Sequence, residues 1–222
     1  MFWLILLHPI YMGASTISTN IGTMSLESGK ADNFMFDYYI AEKALEQANG
    51  DIGFIRIEDD QWFIGLVDGA GHGIEAHKIA QASRDFLEEN RDQELPDLMN
   101  GLHKKLLGSI GSVAIVGKLD AKTSEFRYVG IGNICLRTVG QASQRAVTQD
   151  GVIGYQIRTL REKTMQMTDG DVLILHTDGI SSLFDENNYP EIRHDDAQTI
   201  AKNLIKKFGA DNDDATCVVI RF

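Results

Sequence analysis

The chain has 222 residues, 43% of them hydrophobic and 24% charged, enough for one domain with a full hydrophobic core. A formal net charge of −11 weighs against nucleic acid and against an anionic membrane surface as partners. The two cysteines, Cys135 and Cys217, lie in apolar, strand-like runs, so no disulfide framework is expected and a reducing cytoplasm is the natural setting.

Residues 1–34 read as a flexible N-terminal tail, with Met24 as an alternative start of translation. The apolar run from Phe2 to Leu7 stops at His8 and Pro9. That is far short of the roughly 20 apolar residues a membrane-spanning helix needs. No basic residue precedes it, as one would in a signal peptide. From Gly13 to Gly29 the chain is rich in Ser, Thr, Gly and Asn. Residues 35–222 are undivided by any Pro/Gly-rich linker and read as a single domain.

Within that domain, Ile52 to Ile57 and Trp62 to Val67 flank Glu58-Asp-Asp-Gln61 and predict a β-hairpin. A helix is expected over residues 74–89, where Ala76, Ile79, Ala80, Phe86 and Leu87 share one face. A second is expected over residues 95–107, with Gly108 placed to end it. Strands follow at Val113 to Val116, Glu125 to Val129, Ile134 to Val139, Thr159 to Met167 and Val172 to Leu175. A last helix, residues 197–208, is capped by Asp195 or Asp196 and ended by Gly209, and Thr216 to Ile220 close the chain as a strand. Strands that cluster into hairpins favour antiparallel sheets with helices on their outer faces, an α+β layered domain.

Two segments, Phe63-Ile-Gly-Leu-Val-Asp68-Gly69 and Leu173-Ile-Leu-His-Thr-Asp178-Gly179, run an apolar strand straight into Asp-Gly. Asp51 and the pair Asp213-Asp214 instead stand immediately before strands. Neighbouring antiparallel strands place the end of one beside the start of the next, so Asp51, Asp68, Asp178 and Asp213 can converge on one sheet edge. Carboxylates gathered without Lys or Arg repel one another. Hard divalent cations relieve that repulsion, and all-oxygen ligation suits Mg2+ or Mn2+ rather than zinc. Glycine after each Asp permits close backbone approach, which offers the Gly69 carbonyl as a further ligand. Taken singly, each Asp-Gly is also an ordinary turn signal; their joint occurrence carries the metal reading.

Asp51, Asp68-Gly-Ala-Gly-His-Gly73, Thr177-Asp-Gly179 and Asp213-Asp-Ala-Thr216 stand in an order that resembles metal-dependent PPM-type serine/threonine phosphatases, most closely their bacterial SpoIIE-like branch. The short form is similar to stand-alone RsbX-type phosphatases of stress-response partner-switching modules. The resemblance implies a layered α-β-β-α sandwich of two packed antiparallel sheets flanked by helices. It implies two divalent cations, with Asp68 bridging them, Gly69 adding its carbonyl, Asp178 and Asp213 completing one site, and Asp51 serving the other directly or through water. It also implies a substrate of the STAS-domain phosphoprotein kind. Many members carry a histidine directly after Asp-Gly as general acid; here that position is Ala70, and His72 and a bound water are the candidates. Asp211 and Asp214 are alternative ligands that spacing does not separate from Asp213. No phosphate-binding arginine precedes Asp51, Lys43 reads as a solvated side chain, His77 as a surface residue, and His176 as a hydrogen-bonded core histidine. A non-catalytic phosphoprotein-binding module and a hydrolase of small phosphate esters are the competing readings.

Overall fold

A computed structural model describes residues 26–30 and 36–222, apart from 142, 147 and 186. Its strands are β1 (Leu26–Lys30), β2 (Asp37–Lys43), β3 (Asp51–Glu58), β4 (Gln61–Gly69), β5 (Ser112–Asp120), β6 (Glu125–Ile131), β7 (Cys135–Val139), β8 (Gly151–Val152), β9 (Gln156–Ile157), β10 (Lys163–Gln166), β11 (Val172–His176) and β12 (Ala215–Arg221). Helices α1 (Gly73–Glu89) and α2 (Leu95–Lys105) lie between β4 and β5, and α3 (Ala197–Phe208) precedes β12. A short 3-10 turn covers Pro190–Arg193.

Two five-stranded sheets result, ordered β1-β2-β12-β11-β7 and β10-β6-β5-β4-β3, with every pair antiparallel. Alternate residues of one strand face opposite sides of its sheet, and here both sides are buried. In β4, Trp62, Ile64 and Leu66 enter the core between the sheets, while Phe63 and Val67 enter the core beneath α1 and α2. In β12, Val218 and Ile220 face the inter-sheet core, and Cys217 and Val219 face α3. Burial on both faces is why these strands read as near-continuous apolar runs. The layered α-β-β-α sandwich is therefore the observed architecture.

Helix packing dominates over helix propensity. Leu95, Leu98, Met99 and Leu102 of α2 are all fully buried. Each such side chain contributes about 1.5–3 kcal/mol on burial, more than an isolated helix of this length can supply for itself. Asp196 caps α3 by accepting a hydrogen bond from the Thr199 N–H at 2.7 Å.

Several expectations need correction. Leu26–Lys30, read as part of the flexible tail, pairs residue by residue with β2 as an edge strand; the rest of the segment read as tail lies outside the described residues. β2 itself carried no strand reading, yet it sits beside β12 near the middle of its sheet. Of the strand expected from Thr159 to Met167, only Lys163–Gln166 pairs, at the edge of the second sheet. Cys135 is half-buried rather than buried.

Gly65 lies opposite Phe54 in the β3–β4 ladder, and a side-chain carbon there would stand 2.1 Å from the tip of the Phe54 ring. Phe54 is itself held in the core under the helices. Gly65→Ala should cost about 1–3 kcal/mol of stability through overpacking, read as a lower urea midpoint at unchanged m-value; an unchanged midpoint would show that the ring has room to move.

Candidate active site

The β3–β4 hairpin makes Asp51 and Asp68 register partners at the end of the ladder away from the hairpin turn. In the other sheet, β11 ends at His176 and leads directly into Thr177-Asp178-Gly179, beside the start of β12 and therefore beside Asp213 and Asp214. The Thr177 N–H donates to the Thr216 carbonyl at 3.0 Å. Its hydroxyl donates to Asp51 Oδ2 at 2.7 Å, joining the strand ends of the two sheets. Asn133, just beyond β6, donates through Nδ2 to Asp178 Oδ2 at 2.6 Å.

Sterics explain the glycine in each Asp-Gly. A side-chain carbon at Gly69 would lie 2.3 Å from the Ala76 carbonyl oxygen of α1, and one at Gly179 would lie 1.8 Å from the Asp214 carbonyl oxygen. The intervening loop turns into α1 through left-handed backbone at Gly71 and Gly73, φ +89° and +73°.

Asp68, Asp178 and Asp213 line a cleft of about 460 Å3 together with His72 and Asn133, and no Lys or Arg among the described residues contributes to its lining. Burial, then the charges of Asp178, Asp213 and Asp214, push the Asp68 carboxyl up to about 7. Burial and then Asp68 raise Asp51 well above the usual carboxylate range, against the Thr177 hydrogen bond, which lowers it. Asp213 is raised too, by burial and then by Asp178. These are uncompensated like charges around a solvent-open cleft. Among the described residues, no three His, Cys, Asp or Glu side chains are already drawn into a ligand cluster. An all-oxygen donor set under mutual repulsion fits a hard divalent cation.

The alternatives left open by spacing are separated by hydrogen bonding. Asp214 is buried, and its two oxygens accept from the backbone N–H groups of Leu45 at 2.7 Å and Gly50 at 2.8 Å, so it holds the loop between β2 and β3. Asp211 is exposed and pairs with Lys43, which also donates to the Ala210 carbonyl and so is not merely solvated. Asp213 is the member of the group that lines the cleft. Asp51 is 3% exposed and lies behind the cleft wall rather than in its lining. Gly69 is buried between Asp68 and Ala70, both of which line the cleft.

His72 stands at the N-terminal boundary of α1, with Nδ1 2.7 Å from Glu46 Oε1. Glu46 escaped the sequence reading because 26 positions and two strands separate it from His72, with no local pattern to flag it. Thr177 and Asn133 did leave a signal, since each follows an apolar strand at the same sheet end. His77 is not a free surface residue: its Nδ1 lies 2.7 Å from the Asn49 carbonyl oxygen. His176 is fully buried against the Thr177 carbonyl, and burial lowers it to about 4. Burial pushes the Cys217 thiol up to about 12, which leaves it inert as a nucleophile.

The sheet order, with helices on both outer faces, is that of the PP2C fold. The sequence profile described as stage II sporulation protein E (SpoIIE) matches residues 58–222, and the chain belongs to that family. Asp51 lies just outside the matched segment. Among solved structures, a protein studied as part of the bacterial stressosome superposes with a TM-score of 0.77 at 23% identity, covering 84% of this chain and 99% of that one. RsbX in complex with magnesium gives a TM-score of 0.77 at 18% identity, with 88% and 98% covered. The PP2C phosphatase domain of SpoIIE from Bacillus subtilis gives 0.70 at 16%, with 89% and 70% covered. A search of curated proteins finds no match to the chain.

The raised carboxyl of Asp68 has a thermodynamic consequence. A group whose pKa is higher folded than unfolded stabilises the fold below its unfolded pKa, and that contribution is lost as pH rises through the folded value. For Asp68 the window runs from about 4, the ordinary carboxylate range, to about 7. In chelator at pH 8, Asp68→Asn should therefore melt several degrees above the unsubstituted protein, with the difference shrinking as pH falls and vanishing toward pH 4. The opposite contribution of His176 is common to both proteins and cancels. An Asn variant that melts lower at pH 8 would contradict the repulsion described here.

Proposed function

We propose that the protein hydrolyses phosphoserine and phosphothreonine on a regulatory protein in a reaction that depends on Mg2+ or Mn2+. The observation that carries this reading is the ring of Asp68, Asp178 and Asp213 around a cleft with no described Lys or Arg in its lining, with Asp68 held up to about 7 by burial and then by its acidic neighbours. Two divalent cations in such a site supply Lewis acidity, offsetting phosphate charge and making water nucleophilic at neutral pH. Asp68 would be the shared ligand, with the Gly69 carbonyl, Asp178 and Asp213 completing one position. Asp51, the register partner of Asp68, would serve the second, directly or through water. Asn133 fixes the orientation of Asp178 by occupying one of its oxygens.

His72 is the proton donor to the departing seryl or threonyl oxygen. Glu46 occupies Nδ1, which leaves Nε2 as the ring nitrogen available to the cleft that His72 lines. The substrate is a serine- or threonine-phosphorylated regulator with a STAS domain, and its dephosphorylation resets a partner-switching module. Likeness to RsbX and to a stressosome protein supports this assignment. The free thiols Cys135 and Cys217 fit action in the cytoplasm.

Phosphate release from a phosphoserine protein should require manganese or magnesium, cease with chelator and return on adding metal back. A phosphotyrosine peptide and a nucleotide should be poor substrates. Asp68→Asn, Asp178→Asn and Asp213→Asn should each abolish turnover in folded protein. Full turnover in chelator, or in folded Asp68→Asn, would end the proposal.

His72 has a separate signature. A serine leaving group needs a proton and p-nitrophenolate does not. His72→Gln should therefore slow phosphoserine hydrolysis about 100-fold while affecting p-nitrophenyl phosphate far less. Equal losses on both substrates would assign His72 to holding the loop.

A further inference from the structure

Arg56, Arg84, Arg91, Arg127 and Arg158 each pair with a carboxylate. Arg137 and Arg145 pair with none among the described residues, and they stand side by side. Their backbones form an isolated antiparallel bridge, and both side chains line one cavity of about 310 Å3. Arg137, on β7, donates through Nη1 to the Phe184 carbonyl at 2.5 Å, and its guanidinium lies 4.4 Å from the centre of the Phe184 ring. Its Nε is buried without a partner. Arg145 donates through Nη2 to the Ser182 hydroxyl at 2.6 Å and lies 3.3 Å from Cys135 Sγ. Both guanidinium groups are thus oriented by neutral oxygens, and Asp185 is the single carboxylate among the described lining residues, against two guanidinium groups. Burial, and after it the neighbouring Arg145, hold Arg137 below its ordinary range; Asp185 is the described acid close enough to act against this.

The cavity adjoins the carboxylate cleft along two chain segments. Asn133, which holds Asp178, precedes by two residues the Cys135 that touches Arg145. Ser182, which receives the Arg145 hydrogen bond, follows Asp178 by four residues. An extended peptide rises about 3.3 Å per residue, so a chain with its phosphorylated residue in the cleft passes the arginines within a few residues. Leu183, 79% exposed at the rim, adds an apolar contact beside the two cations.

We propose that Arg137 and Arg145 form an anion subsite that receives an acidic side chain, a carboxylate or a second phosphate, of the same phosphoprotein whose phosphoserine enters the carboxylate cleft. The proposal rests on the phosphatase reading and adds a specificity to it. It runs against bulk charge, since a chain of net charge −11 should otherwise disfavour an acidic partner. A guanidinium matches a carboxylate or phosphate through paired N–H donors, which an ordinary polar surface does not offer.

The test uses the full chain and two synthetic phosphoserine peptides, one with glutamates on both sides of the phosphoserine and one with glutamines in their place. In manganese buffer, kcat/KM should favour the glutamate peptide about tenfold, the worth of one charge-assisted hydrogen bond. Arg145→Gln should erase the preference, Arg145→Lys should retain part of it, and Arg145→Glu should invert it. Fluorescence anisotropy with the unphosphorylated peptides in the same buffer should give the same order of affinities. Equal use of the two peptides by the unsubstituted protein overturns the proposal. So does a preference that survives Arg145→Glu, because it would belong to the cleft. If neither peptide is hydrolysed, the phosphatase reading fails, and the anisotropy series still decides for or against the subsite.

Discussion

A hydroxyl of one sheet holds a carboxylate of the other, and the site is assembled around that contact. Thr177 leaves the end of β11 and donates to Asp51 at the start of β3. This fixes how far one sheet can slide over the other at the edge where Asp51, Asp68, Asp178 and Asp213 gather. The contact is short and fully buried, and it spends one oxygen of Asp51 on positioning. An unpaired buried carboxylate is costly, so its polar partner has to arrive with it. Both sheets must be packed before all four acids meet, and their repulsion then stays as a strain that the folded domain carries.

The neighbours Asp213 and Asp214 show how finely backbone geometry divides identical side chains. They precede the same strand, and both are acids. Asp214 turns inward, where two N–H groups of the β2–β3 loop neutralise its need for partners. Asp213 accepts only the N–H of Asp214 and faces the cleft. Alternation along the chain puts adjacent side chains on opposite sides. One acid is thereby committed to holding the loop that carries Glu46 and Asn49, and the other is left available for chemistry.

Much of this was legible in the sequence, and the limits are physical. Helices α1 and α3 fall where their apolar faces predicted, because period 3.6 is a local pattern that tertiary contacts here reinforce. The hairpin of β3 and β4 was readable for the same reason, and with it the meeting of Asp51 and Asp68. What escaped was non-local. β2 reads Asp-Tyr-Tyr-Ile-Ala-Glu-Lys, without a clean alternation of apolar and polar residues. Its partners are β1 and β12, the latter more than 170 positions away. Edge strand β1 pairs with β2 over Leu26-Glu-Ser-Gly-Lys30, a sequence with no period of two to read. Glu46 beside His72, and Arg137 beside Arg145, become neighbours only when loops from separate elements close on one another.

All four carboxylates occupy one end of the sandwich, and the opposite end is built from turns: Asp59-Asp60 between β3 and β4, Ala121 to Ser124 between β5 and β6, and Thr168 to Asp171 before β11. Lengthening such a turn costs little, since closure entropy grows only with the logarithm of loop length. The four carboxylates stand at the far end of the strands from any such change. The polarity of the fold therefore separates two kinds of tolerance. Substitution at the carboxylate end is policed by electrostatics, one atom at a time, while the turn end can accept whole inserted segments. A graft made there would travel with the catalytic domain as baggage, tethered to it and mechanically deaf to its chemistry.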